Sequence, residues 1–468
     1  MSFIDVHFFV FIIIFLIIYY IVPKKYRYIP ILIGSYLFYG FAEPKFLLYL
    51  IYSTVVTYLG GYAVSRRRSR PVLALFLSLN IGALIIAKYN AFFPVNLGII
   101  LPIGMSFFVF QSTTYIIDIY RGRIELEKNF LQYASFVAFF PTILSGPIQK
   151  SRELLPQIKN PKGFSDDDMK KGTILFIWGC FEKLMISNRL YVIIDNIYSD
   201  NSVFTAPYYI LAMLCFSLYI YADFSSYSDM ARGVAKMMGI DVGKNFLNPY
   251  LSLSLSEFWN RWHTSLNSWF LENLYIPLGG NRKGALRKYI NTMLVFLVSG
   301  IWHGALIHFV VWGGVNGALV VVENILTPFR KSVYTRLKID ESFESIVFLK
   351  RLKVYIILSI TWLFFGTGLR QSINILETIC MGHFIDYFDE GLLLVSGSSA
   401  TTFLTIIFTL LFVVVQCKRT NEALYYVRFE KQPLPFQALL MATIVVLCIF
   451  GAFSSLATVN TEFLYFNF

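Results

Sequence analysis

Long apolar runs alternate with short polar segments along almost the whole chain, and twelve of these runs predict membrane-spanning helices. A spanning helix needs about 20 mainly apolar residues because it crosses roughly 30 Å of hydrocarbon. Shifting individual boundaries leaves eleven to thirteen spans, so the predicted fold class is an all-α polytopic membrane protein. The predicted spans are 3–22, 28–43, 46–64, 71–87, 97–120, 172–193, 206–222, 289–303, 306–327, 351–369, 401–417 and 436–456.

Two further segments predict helices that do not cross the bilayer. Residues 129–146 are apolar but contain Pro141 and Gly146 and are followed by Pro147, which indicates a re-entrant or half-depth helix. The stretch 254–257, Ser-Leu-Ser-Glu, has the form of a capping box. From there to Pro277 we expect one interfacial amphipathic helix. Its apolar face is predicted to contain Phe258, Trp259, Trp262, Leu266, Trp269 and Phe270.

Composition excludes the soluble classes. The chain is 56% hydrophobic and 15% charged, whereas soluble domains average about 25% charged residues. A cytosolic enzyme, a disordered regulator and a secreted disulfide module are all excluded. The five cysteines are odd in number and widely spaced, so we predict small buried side chains rather than disulfides or metal ligands.

The net charge of +12 is a topology signal. Positively charged residues are retained on the cytoplasmic side of a membrane. With the N-terminus outside, six predicted cytoplasmic segments hold 35 of the 40 Lys and Arg residues, and an even number of spans places the C-terminus outside as well. Nucleic acid is therefore not an expected partner, whereas membrane lipids are. These segments are 23–27, 65–70, 121–171, 223–288, 328–353 and 418–435.

His303 ends an apolar run within Ser299–Gly304, at membrane depth, where an ionisable side chain marks function. Glycines at 300, 304, 313 and 317 have the four-residue spacing that lets helices approach closely. We predict that His303 is a general base; the alternative is a packing histidine that donates to a carbonyl. His308 is predicted to be a packing residue. His263 could reach the same interior from the cytoplasmic side, or be an interface histidine between tryptophans.

Three other groups of polar residues give weaker indications of a functional site. His263 and His303 have no third ligand at metal-site spacing, so no metal is predicted. Arg282 and Lys283, in a glycine-rich stretch, could hold the phosphates of a nucleotide-bearing donor, although lipid headgroups fit better without a Walker spacing. The stretch Asp223–Asp229 is expected to hydrogen-bond helix ends and to shape the polar floor of a cavity.

Five stretches form a specific combination: LPIGMSFFVFQSTTYIIDIYRG (101–122), FFPTILSGPI (139–148), YADFSSYSDMARG (221–233), NPYLSLSLSEFWNRWHTSLNSWFLENLYIPLGGNRKG (248–284) and SGIWHG (299–304). In this order they resemble the membrane-bound O-acyltransferase (MBOAT) family, and within it the bacterial branch that acetylates polysaccharides such as alginate. Ser226, Arg232 and Asn260 depart from the pattern, and the last two could alter donor binding. The chain is expected to form one MBOAT domain, 1–468, with core motifs in 101–317 and further spans and the tail in 351–468.

The resemblance implies that His303 is the family histidine and His263 its partner, in a tunnel across a thinned membrane. An acyl thioester, acetyl-CoA or another, would enter from the cytosol as substrate, and no tightly bound cofactor is expected. The acceptor would approach from outside a bacterial inner membrane. The predicted substrate-binding residues are Trp262, Trp302, Asn267, Arg282, Lys283, Asp223 and Asp229.

The last six residues, 463–468, resemble an F-x-Y-F-x-F ending found in this branch. There the tyrosine hydroxyl, Tyr465 here, is a candidate acyl carrier toward an extracytoplasmic, SGNH-like acetyltransferase partner. The alternative is an aromatic anchor in the headgroup region.

We therefore expect an O-acyltransferase that moves an acetyl group across the membrane toward a cell-envelope polysaccharide. One alternative is D-alanyl transfer to teichoic acid from a carrier-protein thioester. Another is a secondary transporter or flippase, which paired broken helices in related halves would favour; the sequence has no such halves.

Overall fold

The structure is a computed structural model that describes residues 1–41, 43–92, 100–199, 205–382, 399–418, 422–456 and 463–464. Every regular element within these ranges is helical. The α-helices are α1 (Val6–Ile21), α2 (Tyr28–Gly40), α3 (Phe46–Arg66), α4 (Arg70–Lys88), α5 (Met105–Tyr120), α6 (Phe130–Val137), α7 (Phe140–Ile143), α8 (Ser151–Lys159), α9 (Asp166–Phe181), α10 (Asn188–Ser199), α11 (Ala206–Met237), α12 (Leu255–Arg261), α13 (Thr264–Phe270), α14 (Ala285–His303), α15 (Ile307–Arg336), α16 (Glu344–Gly366), α17 (Leu369–Met381), α18 (Ser399–Lys418), α19 (Glu422–Glu430) and α20 (Leu434–Leu456). Short 3₁₀ turns cover Lys24–Tyr26, Asn90–Phe92 and Pro249–Leu251, and π-helical turns cover Glu182–Ser187 and Leu271–Tyr275.

Each of the twelve predicted apolar runs overlaps at least one of these helices. Within the described part of the chain, five helical segments are long and apolar enough to cross a membrane by length and composition. Together with the all-helical architecture, they agree with a membrane protein. The five segments are Phe46–Arg66, Arg70–Lys88, Ala206–Met237, Ile307–Arg336 and Leu434–Ala452.

The structure corrects several predicted boundaries. Helix α11 continues to Met237, so the loop predicted from residue 223 is helical over its first part. Helix α17 lies in a region without a predicted element. The predicted helix 129–146 is divided between α6 and α7, because the backbone leaves the helical conformation at Phe139, with φ −51° and ψ 100°, and Pro141 lies in the first turn of α7. The sequence pattern did not reveal these features, because the apolar patterns of α6, α7 and α17 are short and α11 continues into polar positions.

The predicted helix start with Ser254 as N-cap is confirmed, the return bond of the capping box goes to the residue before it, and the continuous helix after it is wrong. The Ser254 hydroxyl accepts the Glu257 N–H at 3.1 Å, and the Glu257 carboxylate accepts the Leu253 N–H at 2.8 Å. The helix that begins there ends at Arg261, and a second one begins at Thr264. Apolar periodicity continues across the break, which is why the sequence pattern did not reveal it.

The chain divides into two compact units. One contains Met1–Cys180 and Ser226–Lys244, together with Phe463 and Leu464. The other contains Phe181–Ser225 and the described residues from Asn245 to Leu456. A single domain over the whole chain stays a prediction.

Helix α5 is the buried centre of the first unit, with every side chain from Met105 to Ile119 buried. Small polar side chains form hydrogen bonds that link α3 and α4 to α5. The Asn80 amide of α4 donates to the Ser112 hydroxyl at 3.1 Å and accepts from Ser53 of α3 at 2.8 Å. Such pairing satisfies polar groups in an otherwise apolar interior.

Helices α14 and α15 pack closely against each other in the second unit, and α14 carries His303. The predicted role of the glycines is confirmed here. A Cβ on Gly300 would collide with the Phe309 carbonyl oxygen, and one on Gly313 would collide with that of Phe296. The two backbones touch at these positions, which fixes the location of the residues that follow Gly300.

Candidate functional site

His263 lies in the break between α12 and α13. Its backbone is left-handed, with φ 44° and ψ 54°, which is uncommon for a residue other than glycine. The turn is held from one side, because the Asn245 carbonyl accepts the Thr264 N–H at 2.9 Å and the Asn245 amide oxygen accepts the Ser265 hydroxyl at 2.7 Å. Backbone strain of this kind clusters at functional sites. The break directs a buried imidazole into the second unit.

His303 is the last residue of α14 and is 4% exposed. Its ring centroid lies 5.3 Å from that of Trp312 and 5.1 Å from that of Phe365. The helix cannot continue at Gly304, whose backbone is extended, so the histidine lies at a helix end within an aromatic surround.

Trp302 lies between the two histidines. Its ring is 6.2 Å from that of His263 and 4.9 Å from that of His303, measured between centroids. Both histidines line a cavity of about 360 Å³. Burial lowers the pKa of His263 to about 3, so this imidazole is neutral at physiological pH. A neutral imidazole carries one N–H donor and one nitrogen that accepts a proton.

A stripe along α14 forms one wall of this cavity. It contains Lys288, Thr292, Ser299 and His303, at helical spacing on one face. Lys288 and His303 are separated by about 22 Å along the axis, from a rise of about 1.5 Å per residue. The cavity is therefore a long slot, with an imidazole at one end of the stripe and an ammonium group at the other.

The Lys288 end of the cavity is polar. The Lys288 ammonium donates to the Asn324 amide oxygen at 3.1 Å, and the Asn324 amide donates to the Ser256 hydroxyl at 3.2 Å. All three residues line the cavity. Sequence reasoning missed them, although stepping back from His303 in helical turns would have led to Lys288.

Four predicted site residues come together at this cavity: Trp262, His263, Asn267 and His303. The Asn267 amide donates to the Trp259 carbonyl at 3.1 Å, which ties α13 to the end of α12. The structure thus brings the predicted histidine pair into one space.

Arg282 and Lys283 are exposed on the turn before α14 and are not among the residues that line the cavity. Their predicted contact with the donor stays a prediction. Tyr465 lies outside the described residues.

The two predicted aspartates have separate partners. The Asp223 carboxylate accepts from the Lys183 ammonium at 2.7 Å and from the Ser187 hydroxyl at 2.8 Å, and both charged side chains are 1% exposed. Asp229 pairs with Arg232 at 2.7 Å. Neither aspartate lines the cavity, so their role in substrate binding stays a prediction.

His308 confirms its prediction as a packing residue, because its Nδ1 lies 2.8 Å from the Phe364 carbonyl oxygen. None of the five cysteines forms a disulfide bond. The prediction that they are buried is wrong for Cys380 and Cys417, which are exposed. Across the described ranges, no group of three or more His, Cys, Asp or Glu side chains is arranged to hold a metal ion.

Comparison with known proteins places this arrangement in a family. The model of the membrane-bound O-acyltransferase family matches residues 96–367, more than half of the chain, and the match includes both histidines and Lys288. The chain belongs to the MBOAT family.

Three relatives carry names that refer to different acyl-transfer reactions. A Pseudomonas fluorescens protein named probable alginate O-acetylase AlgI is 37% identical over 327 residues, which cover 69% of this MBOAT chain and 66% of the relative. A Helicobacter pylori peptidoglycan O-acetyltransferase is 28% identical over 94% of this chain and 91% of its own length. A Bacillus subtilis teichoic acid D-alanyltransferase is 26% identical over 49% of this chain and 60% of its own. The chain thus spans about two thirds of the alginate relative.

Proposed function

We propose that this MBOAT protein transfers an acetyl group from a cytosolic thioester donor to an acceptor for cell-envelope polysaccharide O-acetylation beyond the membrane. The observation that carries the proposal is the single cavity lined by His263, His303 and Lys288. Similarity to a peptidoglycan O-acetyltransferase along 94% of the chain supports acetyl transfer and a polysaccharide acceptor. An extracytoplasmic SGNH-like partner would complete the transfer.

The proposed reaction uses both imidazoles. His303 accepts the proton of an acceptor hydroxyl while its oxygen attacks the thioester carbonyl carbon. Neutral His263 donates its N–H to the carbonyl oxygen, where negative charge develops. The C–S bond then breaks, and the proton returns from His303 to the departing thiolate. The products are an ester and a free thiol, so protons and electrons balance without a metal or a redox partner.

The length of the slot supports a donor with an extended arm. A thioester on a phosphopantetheine arm carries its acyl group at one end and a phosphate at the other. With the carbonyl beside His303, an arm extended along α14 brings the phosphate toward Lys288, about 22 Å away along the helix. The ammonium group and the Asn324 and Ser256 side chains offer hydrogen bonds to such an anion.

Lys288→Met tests this orientation. We expect the KM for acetyl-CoA to rise about tenfold, because a hydrogen bond to a charged group contributes about 1.5–3 kcal/mol, while kcat changes little. The KM for acetyl-pantetheine, which lacks the phosphate, should stay the same. Initial rates of labelled acetyl transfer in proteoliposomes measure both constants.

Lys283→Met is the matched comparison, since it removes the same charge from the exposed turn. A larger effect at Lys283 than at Lys288 would favour the donor site predicted from the sequence and contradict the proposed orientation. Equal KM changes for both donors would also contradict it.

Donor and acceptor are tested directly with the purified protein in proteoliposomes. We expect label from acetyl-CoA in an ester, and none from a D-alanyl carrier-protein thioester. D-alanyl transfer is the second candidate function, and the similarity to the Bacillus subtilis enzyme favours it. Transfer from the D-alanyl thioester alone would replace our proposal with this one.

We further propose twelve spans in a bacterial inner membrane, with both termini extracytoplasmic. The distribution of 35 of the 40 Lys and Arg residues over the six cytoplasmic segments supports this topology. The relatives reported above come from bacteria.

The C-terminal tail is proposed to carry the acyl group on Tyr465. The nearby Phe463 is buried against Tyr227 of the same unit, with centroids 5.2 Å apart, so the start of the tail has a fixed anchor. Tyr465→Phe removes only the hydroxyl. We expect it to abolish acetylation of the polysaccharide in cells, measured as ester content; a wild-type ester content would show that the tail is only an aromatic anchor.

A further inference from the structure

A chain of buried hydrogen bonds runs through the second unit outside the cavity. It begins at Glu182, which is fully buried on the π-helical turn Glu182–Ser187. The Gln416 amide of α18 donates to one carboxylate oxygen of Glu182 at 2.9 Å, and the Ser225 hydroxyl donates to the other at 2.9 Å. The Tyr221 hydroxyl of α11 donates to the Gln416 amide oxygen at 3.0 Å.

Tyr221 also contacts the wall that carries His263. Its ring centroid lies 6.0 Å from that of Trp262, the residue before His263. Three residues further along α11, the Phe224 ring lies 4.7 Å from the His263 imidazole. A change in the position of Tyr221 would therefore reach the left-handed turn at His263 through direct contacts.

The packing of α11 against α18 does not require the hydrogen bonds of Tyr221, Gln416 and Glu182. The same Tyr221 ring packs against Phe412 of α18 at 5.6 Å, so an apolar contact between the two helices already exists. Buried polar groups are costly when left without partners and define one arrangement when satisfied. Glu182 and Gln416 are separated by 234 positions in the chain and are brought together by the packing of the second unit. Their pairing fixes which way Tyr221 points.

We propose that Gln416 is a positioning residue for acyl transfer. Through Tyr221 it holds the Trp262–His263 turn at the distance from His303 that the reaction needs. Helix α18 lies beyond the 96–367 segment that matches the family model, so a C-terminal helix would complete the site. The inference rests on the proposed function for its kinetic readout.

An exchange of the two partners tests the proposal. In Gln416→Glu, two buried carboxyl groups face each other, and repulsion or a shared proton replaces the wild-type hydrogen bond between amide and carboxylate. We expect kcat for acetyl transfer to fall by about 10- to 100-fold, since small misplacements of reacting groups have effects of this size. The KM for acetyl-CoA should change less than about twofold, because the Lys288 end is untouched. In the double variant Glu182→Gln with Gln416→Glu, an amide again donates to a carboxylate that accepts from Tyr221. We expect kcat to return to within about threefold of wild type.

Ser372→Ala is the matched control. Its hydroxyl lies 2.8 Å from that of Thr367 in the same unit, buried and outside the cavity lining. Its loss should lower the thermal transition without changing kcat. If Gln416→Glu behaves like this control, or if the double variant fails to recover kcat, the positioning role is wrong.

Hydrogen–deuterium exchange gives a readout that does not depend on activity. We expect faster exchange across residues 258–266 in Gln416→Glu, and wild-type exchange in the double variant. If the wild-type protein transfers no acetyl group from acetyl-CoA, the proposed function is wrong. Hydrogen–deuterium exchange across residues 258–266 still tests whether Gln416 positions the turn at His263. Unchanged exchange in Gln416→Glu would overturn it.

Discussion

Replacing His303 with alanine is expected to lower kcat for acetyl transfer by about 10²- to 10⁴-fold, the range that general-base catalysis contributes. The imidazole lies in the shared cavity at the end of α14 and is 4% exposed. The KM for acetyl-CoA should change little, because in the proposed orientation the phosphate of the donor binds at the Lys288 end. Initial rates of labelled acetyl transfer in proteoliposomes measure the effect.

His308→Gln provides the control for this variant. It changes a second buried histidine five residues along the chain, which contacts the Phe364 carbonyl and does not line the cavity. Glutamine can still donate to that carbonyl, so we expect a nearly wild-type rate. A His303→Ala protein that is inserted, folded and fully active would show that this residue is not the base.

Replacing Gly300 with alanine is expected to destabilise the protein by about 1–3 kcal/mol or more, as overpacking does. The added methyl group would meet the Phe309 carbonyl oxygen of α15, and backbone atoms cannot move aside as a flexible side chain can. Separation of the two helices would also displace His303, one turn further on. The thermal transition in detergent and the acetyl-transfer rate should therefore fall together.

Gly314→Ala is the corresponding control on α15. A Cβ there would lie 3.7 Å from the nearest atom, a methyl group of Leu297, which is ordinary contact. We expect an unchanged thermal transition, or a small increase, because alanine has the higher helix propensity. A stable, active Gly300→Ala protein would contradict the close packing of α14 against α15.

Local features were predictable because they depend on neighbours in the chain. The Ser254 N-cap, the packing of His308 and the contact at Gly300 and Gly313 each follow from residue type and helical spacing. The break at His263 was not predictable, because the apolar face continues across it and Asn245, which holds the turn, lies 18 positions earlier in the chain.

In the candidate site, too, some residues were predictable from the sequence and others were not. His263 and His303 were identified from motifs, and the structure brings both to one cavity. Lys288 was not predicted, because in the chain it lies close to the cations Arg282 and Lys283, and only the helical face of α14 aligns it with His303.

The amino-acid sequence by itself determined an all-helical membrane protein with its candidate base at a helix end. Hydrophobicity and helical periodicity act over a few turns, so they can be recognised without knowing the fold. Only the tertiary structure decided which polar groups meet. The partners of Glu182 and the wall around His263 come from segments far apart in the chain, and burial pairs such groups only after the helices have packed.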